Sequence, residues 1–185
     1  MENSMRVITG TARGRRLESP EGMEVRPTSE KVKEAVFSMI QFELPGARFL
    51  DLFAGSGQMG IEALSREASG AVFVDAASAS IAVVRENLAR TGLSDRAQVV
   101  MLDAKTYLSA AADSFDLAFV DPPYAESDLT GLLGLLLPHM RPQGAVLVET
   151  DGRTALPESV GGWTIGRQKR YGRTLITCYR KGETA

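Results

Sequence analysis

The chain has 185 residues, of which 44% are hydrophobic, and a formal net charge of −2. This length favours one well-buried domain over two. We find no run of about 18 apolar residues and no charged-then-apolar signal pattern, so we expect no membrane span and a cytoplasmic location. Cys178 and His139 are the single cysteine and histidine. This count excludes an internal disulfide, and neither a metal site nor a Cys–His or Ser–His–Asp nucleophile is expected.

The N-terminal segment is polar and rich in arginine and glycine. Its two short apolar stretches, around Arg6-Val7-Ile8 and Arg16-Leu17, predict a hairpin that turns through Ala12-Arg13-Gly14. The segment is too polar to form a core of its own. We therefore interpret residues 1–25 as a basic arm attached to a main domain formed by residues 26–185.

The main domain begins with a helix that has Thr28 or Ser29 as its N-cap and ends at Pro45-Gly46. Short apolar runs then alternate with helical stretches. The predicted strands are 49–53, 71–75, 98–102, 115–120 and 145–149, and the predicted helices between and beside them are 59–66, 78–90, 104–111 and 129–140. Apolar strands that alternate with helices indicate an α/β fold with a mostly parallel, doubly wound sheet. A C-terminal antiparallel hairpin, 163–165 with 174–179, is expected to close the sheet edge.

A glycine-rich turn follows the first of these strands. Gly55-Ser56-Gly57-Gln58-Met59-Gly60 matches G-x-G-x-x-G, which permits a tight turn and close approach of a ligand. The same pattern also occurs where glycines serve packing alone. Asp51 shortly before the turn is a poor neighbour for a pyrophosphate, because like charges repel. It suits a cofactor with a cationic end, such as the amino group of S-adenosylmethionine, better than it suits NAD.

Four aspartates lie at or near the carboxyl ends of successive predicted strands: Asp51, Asp75, Asp103 and Asp121. In an open parallel sheet this edge is where ligands bind. Asp75 is placed to accept hydrogen bonds from ribose hydroxyls, or else it is a turn residue. Asp103 is placed to accept from an adenine amine, or else it caps the following helix.

The most informative stretch is Asp121-Pro122-Pro123-Tyr124. Two prolines end the strand and stiffen the loop, which by itself indicates only a rigid turn. With an acid before them and an aromatic ring after them, the loop offers two fixed acceptors, the Asp121 carboxylate and the Pro122 carbonyl, beside a stacking surface. This arrangement fits a planar group with an NH2, such as the exocyclic amine of a nucleobase.

Basic residues cluster near both ends of the chain. A charge cluster is often only a solvated face, but two clusters around an acidic middle favour a local nucleic-acid surface. The candidate RNA-binding residues are Arg6, Arg13, Arg15, Arg16, Arg26, Lys169, Arg170 and Arg173.

Together these blocks resemble class I S-adenosylmethionine-dependent methyltransferases with an [Asn/Asp]-Pro-Pro-[Tyr/Phe] motif, and most closely the RsmD family, which methylates guanine N2 in bacterial small-subunit ribosomal RNA. The resemblance rests on six blocks: Arg6 to Gly10, Arg13 to Leu17, Arg26 to Thr28, Leu50 to Gly57, Glu62 to Arg66 and Phe115 to Tyr124. Together with Trp163 and Tyr171-Gly172, these blocks span nearly the whole chain.

The resemblance implies S-adenosylmethionine as cofactor and ribosomal RNA as partner, within the small subunit or an assembly intermediate, and we expect a monomer. It implies that Asp121, Pro122, Pro123 and Tyr124 are catalytic. The implied cofactor-binding residues are Thr28, Asp51, Phe53, Ala54, Gly55, Gly57, Asp75, Asp103 and Ala104. The chain departs from the family at two places. Family members usually have an acid followed closely by an Asp or Arg after the second strand, whereas Val74-Asp75-Ala76-Ala77 has only Asp75. Tyr124 stands where many members have Phe.

Three alternatives stay open. The Asp-Pro-Pro-Tyr loop would equally serve an N6-adenine or other amino-group methyltransferase that acts on DNA or on another RNA. A nicotinamide-dependent oxidoreductase can use the same doubly wound sheet, although Asp51 and the solitary His139 argue against it. A noncatalytic RNA-binding module would have no need of this loop beside a cofactor turn.

Overall fold

The computed structural model describes residues 5–22, 28–123 and 125–182. The helices are α1 (Glu30–Met39), α2 (Gln58–Ser65), α3 (Ser78–Thr91), α4 (Ala104–Ala110) and α5 (Leu129–Leu136). The strands are β1 (Arg48–Leu52), β2 (Gly70–Asp75), β3 (Ala97–Met101), β4 (Phe115–Val120), β5 (Met140–Thr150), β6 (Ser159–Val160), β7 (Trp163–Tyr171) and β8 (Thr174–Lys181). None of the helices in these ranges is long and apolar enough to span a membrane.

The strands form one sheet in the order β3-β2-β1-β4-β5-β8-β7-β6. The first five in this order are parallel, and β8 lies antiparallel to both β5 and β7. The predicted fold, a mostly parallel doubly wound α/β sheet closed by an antiparallel C-terminal hairpin, is confirmed. Because the parallel strands are in register, the carboxyl ends of β1, β2, β4 and β5 meet at one edge.

The parallel strands inside the sheet are buried on both faces, which explains their continuous apolar sequences, while the edge strand β3 is more exposed. Along β1, Phe49 lies in a core layer with helix α1 residue Phe37, while Leu50 lies in the opposite layer with α5 residue Leu132. These four side chains are fully buried.

Some predicted element ends were wrong. Helix α1 ends at Met39, well before Pro45, and a turn follows in which the N–H of Leu44 bonds to the carbonyl of Ile40. Helix α5 stops at Leu136 and continues as a 3-10 turn through Pro138, whose missing N–H removes an α-helical hydrogen bond. The C-terminal hairpin is longer than its apolar residues indicated, since the polar residues of β7 also join the sheet.

The arm, of which residues 5–22 are described, runs against α2. Within that range its two sides pair at an antiparallel bridge between Arg6 and Arg16, flanked by hydrogen bonds from the N–H of Val7 to the carbonyl of Arg15 and from the N–H of Leu17 to the carbonyl of Met5. Apolar residues Val7, Ala12 and Leu17 are buried in the main core. The arm's fold therefore depends on the domain beneath it.

Buried charges fix this contact. Glu62 on α2 is fully buried and accepts the backbone N–H groups of Ile8 and Thr9, each at 2.9 Å. It also pairs with Lys33, itself 1% exposed, at 3.5 Å and with Arg66 at 3.0 Å. Burial lowers the pKa of the Lys33 ammonium, against the opposing effect of the Glu62 carboxylate. The arm is thereby tied to the helix that follows the glycine-rich turn.

Candidate active site

The turn between β1 and α2 is shaped by residues with left-handed backbone. Phe53, Gly55 and Gly57 have φ values of 64°, 56° and 78°. Gly60 has a different role: a Cβ there would overlap the ring of Phe73 on β2. The glycine at 60 therefore lets α2 pack closely on the sheet, while those at 55 and 57 permit the turn.

Asp51 lies under this turn and is 2% exposed. Its carboxylate accepts the backbone N–H of Gly60 at 2.9 Å, so it fixes the first turn of α2. Burial, with a smaller contribution from the charge of Asp75, raises the pKa of Asp51 to about 7. A cation placed beside Asp51 would favour its charged form.

Asp75 at the end of β2 organises backbone on both sides. Its two oxygens accept the N–H groups of Gly55 and Ala77, each at 2.9 Å. The Asp75 carboxylate thus holds the glycine-rich turn against the second strand. Its role toward a ribose stays a prediction.

Asp103 is the N-cap of α4, the alternative that the sequence left open. It accepts from the N–H groups of Lys105 at 3.0 Å and Thr106 at 3.2 Å, and it is exposed. Hydrogen bonds from Thr106 lead the effects that lower the pKa of Asp103. A cap does not preclude contact with a ligand, since a carboxylate has about four acceptor positions.

An open cavity of about 1120 Å³ runs along the carboxyl edge of the sheet. It brings together residues at or just beyond the carboxyl ends of the five parallel strands, and its lining includes Phe53, Asp75, Asp103, Asp121, Pro122 and Glu149. A small recess of about 40 Å³ shares Phe53 and Asp121 with it and adds Thr28, Asp51 and Ala54. Many small-molecule sites measure about 300–1,000 Å³, so this cavity has room for a nucleoside cofactor and a second planar group.

The Asp121-Pro122-Pro123 loop forms one wall of the cavity. The N–H of Asp121 reaches the carbonyl of Leu52 on β1 at 3.5 Å, and the carbonyl of Pro123 accepts the N–H of Glu126 at 2.9 Å. Burial and the nearby charges of Glu149 and Asp51 raise the pKa of the Asp121 carboxyl. Tyr124 lies outside the described residues, so its stacking role stays a prediction.

Comparison with known proteins identifies the family. The family model described as "Conserved hypothetical protein 95" matches residues 5–180. Over 182 residues the chain is 43% identical to "Putative rRNA methyltransferase YlbH" of Bacillus subtilis (strain 168), with 96% of this chain and 99% of that protein covered. It is 32% identical to "Ribosomal RNA small subunit methyltransferase D" of Escherichia coli (strain K12), with 96% and 90% covered. The chain belongs to the RsmD family.

A solved structure of similar sequence agrees with this assignment. "Putative methyltransferase yhhF from Escherichia coli" superposes with a TM-score of 0.86 at 33% sequence identity, over 96% of this chain and 98% of that one. The fold is thus that of a class I methyltransferase over nearly the whole chain.

In this RsmD-family protein the arginines of the arm belong to a segment whose backbone packs on α2. Thr11 and Ala12 donate to Ser65, the last residue of α2, so the arm's turn lies at the helix end away from the cavity. Arg6 pairs with Glu30 at 2.8 Å. Three further arginines of the arm are exposed: Arg13, Arg15 and Arg16. Arg26 lies outside the described residues.

The C-terminal basic residues lie nearer the cavity. Arg173, in the turn between β7 and β8, contributes to its lining. Arg170 reaches the carbonyl of Gly152 at 3.4 Å, and the Lys169 ammonium lies 5.4 Å from the ring centre of Tyr171. The structure therefore places one basic cluster beside the cavity and distributes the other along the arm.

Glu149 is the main cavity residue that the sequence interpretation missed. It lies near the end of β5, and Thr28 Oγ1 donates to its Oε2 at 3.0 Å. Ser29, and not Thr28, accepts the N-cap hydrogen bond of α1. A signal was available, because Glu149 occupies the same strand-end position as the four aspartates.

No cluster of His, Cys, Asp and Glu suited to a metal ion occurs among residues 5–22, 28–123 and 125–182.

Proposed function

We propose that this protein transfers a methyl group from S-adenosylmethionine to the exocyclic N2 amine of a guanine in small-subunit ribosomal RNA. The observation that supports this most strongly is the Asp121-Pro122 loop facing a cavity shared with the acids at the ends of β2 and β3, in a chain related to ribosomal RNA small subunit methyltransferase D.

The cavity residues fit an adenosyl cofactor with a cationic end. We assign the ribose to the neighbourhood of Asp75, the adenine amine to Asp103 and Ala104, and the amino group to Asp51 in the recess. The left-handed turn through Gly55 leaves backbone accessible beside these acids. Phe53, Ala54, Gly57 and Thr28 complete the proposed cofactor-binding set.

When bound, S-adenosylmethionine supplies a methyl group already activated by its positively charged sulfur. The remaining task for the protein is positioning. Asp121 and the Pro122 carbonyl accept hydrogen bonds from the N2 amine and direct the nitrogen at the methyl carbon, with Pro123 keeping the loop rigid. Transfer would leave S-adenosylhomocysteine and one proton released from N2. The Asp121 carboxylate also stabilises the positive charge that develops on the attacking nitrogen. Tyr124 stacks on the base, which must be unstacked from the RNA to enter.

The two basic clusters are the proposed RNA-binding surface, with residues 1–25 acting as an arm of the methyltransferase domain at 26–185. The exposed arginines of the arm would follow the phosphate backbone, and Arg173, which lines the cavity, would lie close to the target nucleotide. Lys169, Arg170 and Arg6 are included in the proposed RNA-binding set, and Arg26, which lies outside the described residues, is included from the sequence alone. We propose that the protein acts as a cytoplasmic monomer on the small subunit or on an assembly intermediate.

The test replaces Asp121 with alanine and compares it with Asp95→Ala, which removes an exposed carboxylate far along the chain from the loop. Asp121→Ala should lower the rate of methyl transfer at least about 100-fold, because it removes both orientation and charge stabilisation. Cofactor binding, measured by calorimetry, should be retained in both variants. Undiminished transfer by Asp121→Ala would exclude Asp121 from the mechanism.

A further inference from the structure

Glu149 lies directly beside Asp121 at the carboxyl edge of the sheet. Val120 on β4 pairs in parallel register with Val148 on β5, and Asp121 and Glu149 are the residues that follow this pair. Both line the cavity, and the charge of Glu149 acts on Asp121. Two carboxylates on adjacent strands thus face one ligand space.

Thr28 holds one oxygen of the Glu149 carboxylate. The Thr28 hydroxyl donates to Glu149 Oε2 at 3.0 Å, and the Thr28 carbonyl accepts from Gln58 Nε2 at 3.3 Å. Gln58 is the first residue of α2, so the residue that holds this oxygen is itself linked to the glycine-rich turn. A carboxylate can accept about four hydrogen bonds, and the bond from Thr28 is compatible with a further donor.

The edge of the base determines what a second carboxylate can recognise. Guanine presents its N2 amine and its N1–H side by side as donors. Adenine has an unprotonated N1 at the corresponding position, and a carboxylate facing that lone pair would be repelled. An acceptor beside the amine-binding loop therefore favours guanine and disfavours bases that lack the N1 proton.

We propose that Glu149 determines specificity for guanine by accepting its N1–H, while Asp121 and the Pro122 carbonyl hold the N2 amine. The inference rests on the proposed function and deepens it. It assigns the two adjacent carboxylates to two neighbouring donors on one base, which gives a role to the acid near the end of the strand beside the Asp-Pro-Pro loop.

The experiment uses small ribosomal subunits whose RNA is ligated to contain either guanine or 2-aminopurine at the methylated position. 2-Aminopurine keeps the N2 amine, but its N1 has no proton. The wild-type enzyme should prefer guanine by at least about 100-fold in kcat/KM, because a site built to bind an N–H discriminates strongly against an analogue without it. Glu149→Gln should reduce this preference at least tenfold, because an amide can present either an acceptor or a donor to N1.

The matched control is Glu158→Gln, which makes the same change at an exposed position. It should keep the wild-type preference. Glu149→Asp, which retains the charge but shortens its reach, should lower kcat/KM for guanine and still reject 2-aminopurine. An unchanged preference in Glu149→Gln would overturn the proposal.

A second measurement is independent of turnover. Competition between guanine-containing and 2-aminopurine-containing subunits for the protein, in the presence of S-adenosylhomocysteine, reports recognition of the base without methyl transfer. Glu149→Gln should reduce the binding preference for guanine that the wild-type protein shows, and an unchanged binding preference would contradict the proposal. If the wild-type enzyme methylates no guanine N2, the proposed function itself is refuted. This outcome differs from one in which guanine is methylated but Glu149→Gln leaves the preference unchanged, which refutes only the role of Glu149.

Discussion

The protonation of Asp51 should make the stability of the protein depend on pH in a way that Asp51→Asn removes. The carboxyl is fully buried, and its pKa rises from the ordinary 3.8 to about 7. Between these two values the folded state binds more protons than the unfolded state, so the free energy of unfolding falls as pH rises. Below pH 3.8 both states are protonated and the effect vanishes.

The magnitude follows from the two pKa values. One pKa unit corresponds to about 1.4 kcal/mol. The cost of burying Asp51 is therefore about 2 kcal/mol at pH 5 and about 4 kcal/mol at pH 8, where the native carboxylate is charged. Asparagine can still accept the N–H of Gly60 and has no such titration. The stability of Asp51→Asn relative to wild type should therefore increase by about 2 to 3 kcal/mol between pH 5 and pH 8.

The assay is urea unfolding of both proteins at pH 5, 6, 7 and 8 without cofactor. Asp103→Asn is the matched control, since the pKa of this exposed carboxyl is lowered from 3.8 and its titration is complete below pH 5. Asparagine also serves as an N-cap, so the Asp103→Asn difference should stay flat over this range. A stability difference for Asp51→Asn that does not change with pH would refute the reasoning about its burial.

Three further predictions concern the arm. Glu62→Gln should lower the free energy of unfolding by about 3 kcal/mol, because it leaves the buried Lys33 ammonium without its full partner; urea unfolding measures this. Gly10→Ala should lower the free energy of unfolding by about 2 kcal/mol more than Gly14→Ala does in the same assay, because the Cβ at position 10 would overlap the Ser65 carbonyl oxygen. Replacing the exposed arm arginines with alanine should weaken RNA binding and flatten its dependence on salt, because fewer counterions are released. The arginines replaced together are Arg13, Arg15 and Arg16.

Each of these three predictions has a control or an outcome that would contradict it. Gly10 and Gly14 both have positive φ, at 92° and 83°, but no atom lies within 4 Å of a Cβ at Gly14, so equal losses would exclude the contact with Ser65 as the cause. For Glu62, the control is Glu86→Gln in an exposed pair with Arg90, which should change stability by less than about 0.5 kcal/mol. A salt slope unchanged in the triple arginine variant would show that the arm does not contact RNA.

The fold was predictable because its signals are local and repeated. Apolar runs such as Phe115–Val120 are buried on both faces and alternate with helices, which leaves few arrangements besides a parallel sheet. The strand-end acids followed from this topology, since residues far apart in sequence must meet at one edge. The positions of the strand ends in the sequence were enough to group four acids that line the cavity and its recess: Asp51, Asp75, Asp103 and Asp121.

What escaped the sequence depends on contacts between distant residues. Glu62 is unremarkable on a helix until the N–H groups of Ile8 and Thr9, more than 50 positions away, are placed against it. The burial of Val7 likewise depends on α2 beneath it. Glu149 ends the predicted strand 145–149 and could have been grouped with the four aspartates, but its position directly beside Asp121 follows only from the pairing of β5 with β4.

The central claim is methyl transfer to guanine N2 in small-subunit RNA. The most direct test incubates the protein with labelled S-adenosylmethionine and small ribosomal subunits from a strain that lacks the corresponding enzyme, then digests the RNA and identifies the labelled nucleoside. We predict N2-methylguanosine at a single site. Label on adenine N6, or no label on subunits, naked RNA or DNA despite measurable cofactor binding, would contradict the claim.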